Sequence, residues 1–426
     1  MQFSTLDGRK YDVIVCGAGS AGVAAACSAA RLGAQTLLLE RHAYGGGIVT
    51  AAMIHTFDAI KSCADNSVSI VAGFASELLA EISRLGGDAT ADNPPEALTI
   101  HPEIGKIAVD NLLARHGVAV LWHAPVVEAL MDGGRVAGVE AALRDGRARF
   151  HAPVVVDGTG DAQIAFFAGA PWTLDRELQA LTSHFRLGGV APGVTWDGWE
   201  AITRKAMEEA RAAGEVGVYG GPWVIRLNDG EISLNTTRVF ADPNDPARLS
   251  AAETAGRAQM LATWNSLRRR CPELRDSHII SGNSQLHIRE SRIIDGEYRL
   301  TEEDIREGRR FPDAIAIGAW PVDIHPSDGK VGVHPHKESP PLPYEIPYRV
   351  MVPKNTDGLL VPGKAISTTH RAHGSTRVPG TSLATGQAAG VAAALSARTG
   401  APPRFLDTGE LRHLLRSQGA IVSVAD

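Results

Sequence analysis

The chain has only four cysteines in 426 residues, Cys16, Cys27, Cys63 and Cys271, and none stands in a C-x-x-C or metal-like spacing. Their scatter counts against a disulfide reductase and an iron–sulfur protein, and no metal site is expected. Cys16 and Cys27 fall in apolar strand and helix patterns, where cysteine acts as a small hydrophobe, and Cys63 is read as structural too. Basic clusters are also lacking: the net charge is -6, which leaves no electrostatic footprint for nucleic acid. No apolar run is long enough to span a membrane, and the opening MQFSTLDGRK has no signal-peptide core. The expectation is a cytoplasmic protein with a small-molecule substrate and without a nucleic-acid or membrane partner. A homo-oligomer is left open.

What the sequence does have is glycine, 45 residues of it, and the most telling are placed between a strand and a helix. The apolar run Tyr11 to Cys16 leads into Gly17, Gly19, Ser20, Ala21 and Gly22, and an alanine-rich helical pattern follows. This is the form of a dinucleotide-binding turn: Gly17 for the tight turn, Gly19 for close approach of a pyrophosphate, Gly22 for helix-on-strand packing. The free N–H groups at the start of the helix suit an anion. A second strand, Gln35 to Leu39, ends on Glu40, placed to accept hydrogen bonds from a ribose. Arg41 and a further run, Gly45, Gly46 and Gly47, come next.

Later segments fill out an α/β chain. Helical patterns are read at 73–85 and 102–116, followed by VAVLWHAPVVEAL, RVAGVEAAL and RARFHAPVVVDGT as three strands joined by Asp-Gly turns. The last strand meets Gly158 and Asp161, with Asp161 also a candidate N-cap for the next helix. Residues 172–345 are read as a mixed α+β substrate domain between a nucleotide-binding part, 1–171, and its return, 346–426. In this domain strands are expected near 223–227 and 231–239, a long helix over 249–270, and a capped turn opening at Thr301. Arg289 and Arg292 could grip a carboxylate or phosphate with their planar forks of donors, or join an interdomain ion-pair network. The return has a strand at 358–361, Gly363, and a helix over about 381–397 whose first turn carries Gly380, Thr381 and Ser382 and whose close-packing face carries Gly386, Ala389, Gly390 and Ala393.

Taken together, GAGSAG, the GGG loop, VVDGTGDA, HIRESR, GEYRLTEEDI, PVDIH and TGQAAGVAAAL resemble the FAD-dependent oxidoreductase family nearly from end to end. The likeness is to glutathione-reductase-like Rossmann flavoproteins, in a heterodisulfide-reductase-related subgroup without iron–sulfur motifs. The resemblance implies a Rossmann-type FAD-binding domain with inserted antiparallel strands. It implies FAD held by Gly17, Gly19, Ser20, Ala21, Gly22, Glu40, Arg41, Gly46, Gly47, Val126, Gly158, Asp161, Gly363, Gly380, Thr381 and Ser382.

No second glycine turn between strand and helix is found for NADPH, so a substrate that itself delivers the electrons is the simpler expectation. A dehydrogenase or oxidase then needs a base near neutral pKa, for which His325, His370 and His373 are candidates, with Arg377 to anchor an anionic substrate. The alternatives are a monooxygenase using NAD(P)H and a non-catalytic nucleotide-binding protein on the same fold. The W-x-W-x-I-P stretch of flavin-dependent halogenases is absent, and Trp320-Pro321 does not match it.

Overall fold

The computed structural model describes residues 10–89, 92–94, 97–325 and 341–426. The opening stretch read above for a signal peptide lies outside them, apart from Lys10. At the centre is a five-stranded, wholly parallel sheet in the order Leu359–Leu360, Val154–Asp157, Val13–Cys16, Thr36–Leu39, Ala119–Leu121. Val13–Cys16 and its neighbours Thr36–Leu39 and Val154–Asp157 are buried throughout. That explains their continuous apolar runs, since a parallel sheet is covered on both faces.

Helix Ser20–Arg31 leaves the first strand and lies against helix Pro379–Thr399. The contact depends on glycine: a Cβ on Gly386 would sit 2.2 Å from the Ala21 carbonyl oxygen, and one on Gly390 would sit 2.1 Å from that of Ala25. Gly386 and Gly390 are one helical turn apart and meet residues one turn apart on the partner. The small-residue face read from the sequence is thus the seam that seats the C-terminal helix on the nucleotide-binding unit.

The three inserted antiparallel strands are Val126–Asp132, Arg135–Leu143 and Gly146–His151. Two of the three expected strands are in fact each two. VAVLWHAPVVEAL divides into Ala119–Leu121, which joins the parallel sheet, and Val126–Asp132, which does not. RARFHAPVVVDGT divides in the same way into Gly146–His151 and Val154–Asp157. Both breaks fall at His-Ala-Pro, residues 123–125 and 151–153. Proline lacks the N–H that a continuing ladder needs, so each tract crosses from one sheet to the other there.

A separate four-stranded antiparallel sheet has the order Tyr219–Asn228, Glu231–Thr237, His184–Gly188, His278–Gly282. It is flanked by helices Trp196–Ala212 and Pro246–Arg270. The Thr301 capping pattern is formed as a reciprocal box with Asp304 on helix Glu302–Arg306. Strand Ala314–Gly318 pairs with Tyr344–Pro347 and packs on helix Pro379–Thr399, so this pairing straddles residue 345. All four cysteines are free. Among the described residues no helix is long and apolar enough to cross a membrane, and no group of ligands could hold a metal.

Candidate active site

Four glycine turns from distant parts of the chain converge on one cleft of about 300 Å³. Gly17, at φ +91°, is crossed by the turn at Gly158, whose carbonyl oxygen would lie 2.6 Å from a Cβ on Gly17. Gly47, at φ +57°, approaches Gly19 so closely that a Cβ would fall 2.7 Å from the Gly19 Cα. Gly363 closes the ring beside Ala21. With no side chain in the way, the floor of the cleft is backbone, which is what an elongated phosphate-bearing cofactor needs. The buried Ser20 Oγ has no hydrogen-bond partner and belongs to the lining.

Glu40 is buried beside this floor. One carboxylate oxygen accepts from the Ala18 N–H at 2.6 Å and the other from the His42 N–H at 2.8 Å. Each oxygen keeps a second lone pair, so a ribose hydroxyl can still donate to it. Arg41, His42 and Ala124–Val126 continue the lining, and Gln285, Leu286 and Ile288 complete it. Arg41 and Gln285 are joined by a 2.6 Å hydrogen bond.

The second glycine signature differs locally from expectation. Asp157, not Asp161, caps helix Gln163–Phe167, its carboxylate accepting from the N–H groups of Ile164 at 2.8 Å and Ala165 at 3.1 Å. The residue at the cap position is Ala162 in a left-handed conformation, so no side-chain oxygen there could serve. Asp161 is turned the other way, paired with the Lys364 ammonium at 2.9 Å and the Ser291 hydroxyl at 2.7 Å. Burial opposes ionisation of Asp161, but Lys364 outweighs it and holds the carboxyl below its ordinary range. A cation is thereby fixed in the lining next to Gly160 and Gly363.

Arg377 enters the cleft from the end of helix His370–Thr376, and Ser382 from the first turns of Pro379–Thr399. The Arg377 side chain is 7% exposed; it donates to Asp323 at 2.9 Å, while its Nε has no partner. Asp323 also receives His325 Nε2 at 3.2 Å, and His325 Nδ1 lies 3.3 Å from Arg238. Burial pushes His325 well below the usual histidine pKa despite Asp323, while Asp323 stays ionised between Arg377 and His325. His373 is buried with Nε2 donating to the Arg289 carbonyl at 3.0 Å; burial lowers its pKa to about 4, leaving Nδ1 a lone pair with no partner. His370, nearer the surface, donates to Glu290 at 2.7 Å, which raises its pKa.

The cleft therefore gathers Gly17, Gly19, Ser20, Ala21, Glu40, Arg41, Gly47, Val126, Gly158, Asp161, Gly363, Arg377 and Ser382. Other sequence candidates lie outside the lining. Gly22 packs helix on turn, its Cβ position 1.8 Å from the Gly17 carbonyl oxygen, and Gly46 backs onto Thr50. Gly380 abuts the Asp58–Ala59 backbone instead of the cleft, and Thr381 is fully buried next to it. His325, His370 and His373 are not among the lining residues. Arg292 is stacked over Phe166 at 4.2 Å and Trp172 at 5.5 Å. Arg289 is buried against the Ala180 carbonyl and the Thr182 hydroxyl. Sequence reading missed Lys364, Ser291, Gln285 and Arg238, whose partners are set by tertiary contact alone. The alternation of His287 and Arg289 with Leu286 and Ile288 was a readable period-two signal that the two polar residues share a face.

A family model described as FAD dependent oxidoreductase matches residues 12–415. Among solved structures, the chain resembles a geranylgeranyl bacteriochlorophyll reductase-like protein from Thermoplasma acidophilum. The identity is 15% over 96% of this chain and 84% of that one, with a TM-score of 0.52. It also resembles a flavin-dependent brominase, at 14% identity over 96% of this chain and 83% of that one, with a TM-score of 0.51. At these identities the likeness shows the fold alone.

Proposed function

Because the chain belongs to the FAD-dependent oxidoreductase family and FAD is its cofactor, we propose that it is a dehydrogenase or oxidase acting on a small anionic organic molecule. The bond broken is a C–H next to a hydroxyl or amine, and bound FAD supplies the two-electron acceptor. The cleft residues identified above would hold that cofactor, with Lys364 and the N–H groups of the helix starting at Ser20 available to its phosphates. We further infer that the chain falls with the heterodisulfide-reductase-related members that lack cluster cysteines, as its four scattered cysteines suggest.

The observation that carries this reading is Arg377. A guanidinium in the cleft lining, nearly all buried and with Nε unpartnered, is suited to hold a carboxylate. Asp323 and Gly374 keep it in place: a Cβ on Gly374 would lie 2.7 Å from Ile324 Cδ1 and 3.1 Å from the Asp323 carbonyl oxygen, so the helix leading to Arg377 packs closely on the chain carrying Asp323. One turn earlier, His373 is buried outside the cleft lining with its pKa lowered to about 4, so it supports the helix that carries Arg377 and is not the base. His370, nearer solvent and raised in pKa by Glu290, is the histidine left to relay the proton away from the site.

Anaerobic mixing of the FAD-loaded protein with 2-hydroxy and 2-amino carboxylates, their methyl esters and NADPH tests this. Bleaching of the flavin band by an acid and not by its ester is the expected result. Bleaching by NADPH alone would overturn the proposal in favour of a monooxygenase.

A further inference from the structure

Behind the Arg377–Asp323 pair, the interior holds two more guanidiniums with no carboxylate bonded to either among the described residues. Arg238 and Arg289 are 4% and 2% exposed. Their Nη1 atoms converge on a single oxygen, the Thr182 hydroxyl, at 2.9 and 2.6 Å. The remaining acceptors of Arg238 are neutral: Asn235 Oδ1 at 3.2 Å, the Thr237 carbonyl at 2.7 Å and His325 Nδ1. Among the described residues Arg289 adds only the Ala180 carbonyl, and its Nε has no partner there.

The nearby acids are otherwise engaged. Asp323 is bonded to Arg377 and His325, and Glu290 to His370 and the Gln179 N–H. The fold forces the two arginines together. Thr182 pairs by its backbone with His287, and Leu181 with Val239, so Thr182 lies between the stretches that carry Arg289 and Arg238. Gly220 leaves the space Arg238 fills, since a Cβ there would lie 2.1 Å from its Nη2. Burial, then the neighbouring guanidiniums of Arg238 and Arg377, work against the charge on Arg289, and the Asp323 carboxylate offsets them only in part.

Unpaired nitrogens surround this pair. Among the described residues, His287 Nδ1 and both ring nitrogens of His184 have no hydrogen-bond partner, with the two rings 6.0 Å apart. The guanidiniums leave a surplus of buried positive charge, while each neutral imidazole can offer its N–H to an anion. Two like charges removed from water are unfavourable unless an anion joins them, and paired guanidinium forks match an oxyanion.

We propose that Arg238 and Arg289, with His287, form a buried oxyanion-binding site that takes a carboxylate or phosphate group. The site is distinct from Arg377. Arg289 directly follows Ile288, which lines the cleft, so the anionic group is either a second acidic group of the cleft substrate or a free anion. The first source rests on the function proposed above, whereas the anion site itself does not.

The experiment is equilibrium binding without turnover. The unfolding temperature of the FAD-loaded full chain is followed as malonate, and separately inorganic phosphate, is added at constant ionic strength. A saturable rise is expected for the wild type. Arg238→Met and Arg289→Met should weaken anion affinity by about tenfold or more without lowering the unfolding temperature in anion-free buffer, because each removes a buried charge to which no carboxylate is bonded among the described residues. Arg371→Ala, at an exposed arginine paired with Glu302, should leave the affinity unchanged.

If a methionine variant does not fold, Arg238→Lys carries the test, since it keeps the charge and loses the fork. A response to malonate alone assigns the site to a substrate carboxylate, and an equal or stronger response to phosphate assigns it to a phosphate group. No saturable response to either anion, or an unchanged response in the variants, would overturn the site even if organic acids bleach the flavin.

Discussion

Acidification from about pH 7.5 to about pH 5 should remove much of this protein's stability, because its interior keeps several histidines as neutral imidazoles. Burial, with Arg186 adding to it, lowers the pKa of His55 to about 3, and burial lowers that of His373 to about 4. His184, His287 and His325 lie well below the ordinary value for the same first reason. In the unfolded chain each regains a pKa near 6.5. The folded values are the lower ones, so the unfolded state binds more protons below pH 6.5, and stability falls as the pH falls from there toward the folded pKa.

At pH 5 the loss is about 2 kcal/mol for each such histidine. His55 and His373 alone then account for about 4 kcal/mol, a large part of the 5–15 kcal/mol typical of a folded domain. His370 works in the other direction: Glu290 raises its pKa, so its contribution is full below pH 6.5 and disappears as the pH rises through the raised value. Urea unfolding of the FAD-saturated protein, followed by tryptophan fluorescence at half-unit steps of pH, gives the slope directly. His373→Asn should make that slope shallower by about one proton. A free energy that stays flat between pH 7 and pH 5, or a slope that His373→Asn leaves unchanged, would refute the reasoning.

Gly386→Ala places a methyl group 2.2 Å from the Ala21 carbonyl oxygen and should lower the unfolding free energy by about 3 kcal/mol, measured by denaturant titration. Gly47→Ala meets both a left-handed backbone and the Gly19 Cα; it should release FAD on gel filtration while circular dichroism still reports a folded chain. Lys364→Met leaves the Asp161 carboxylate with the Ser291 hydroxyl and the more distant charge of Arg41. It should cost about 3 kcal/mol and weaken FAD retention, whereas Lys364→Arg should restore much of both.

The parts of the fold legible in the sequence were those governed by neighbouring residues. Gly17, Gly19 and Gly22 with the strand before them and the helix after marked the phosphate turn, and Gly386 and Gly390 marked a close-packed face. Where two residues competed for one role, local pattern was not enough. In VVVDGTGDA either aspartate could have capped the helix, and only the left-handed turn at Ala162 gives the role to Asp157 and frees Asp161 for Lys364. The His-Ala-Pro breaks were visible as prolines, but not which sheet each half would join. Arg238 was beyond reach because it belongs to no motif: its meeting with Arg289 is decided by how Thr182 pairs with His287. His325, His370 and His373 were read as candidates because the chemistry needs a base near neutral pKa, yet their depth and hydrogen-bond partners follow from packing between remote segments.

The central claim, that the four converging glycine turns hold FAD, is tested most directly by the visible spectrum of the purified protein before and after acid precipitation. A yellow protein that carries about one FAD per chain and releases it into the supernatant is the predicted result. A colourless protein that takes up no added FAD would contradict it.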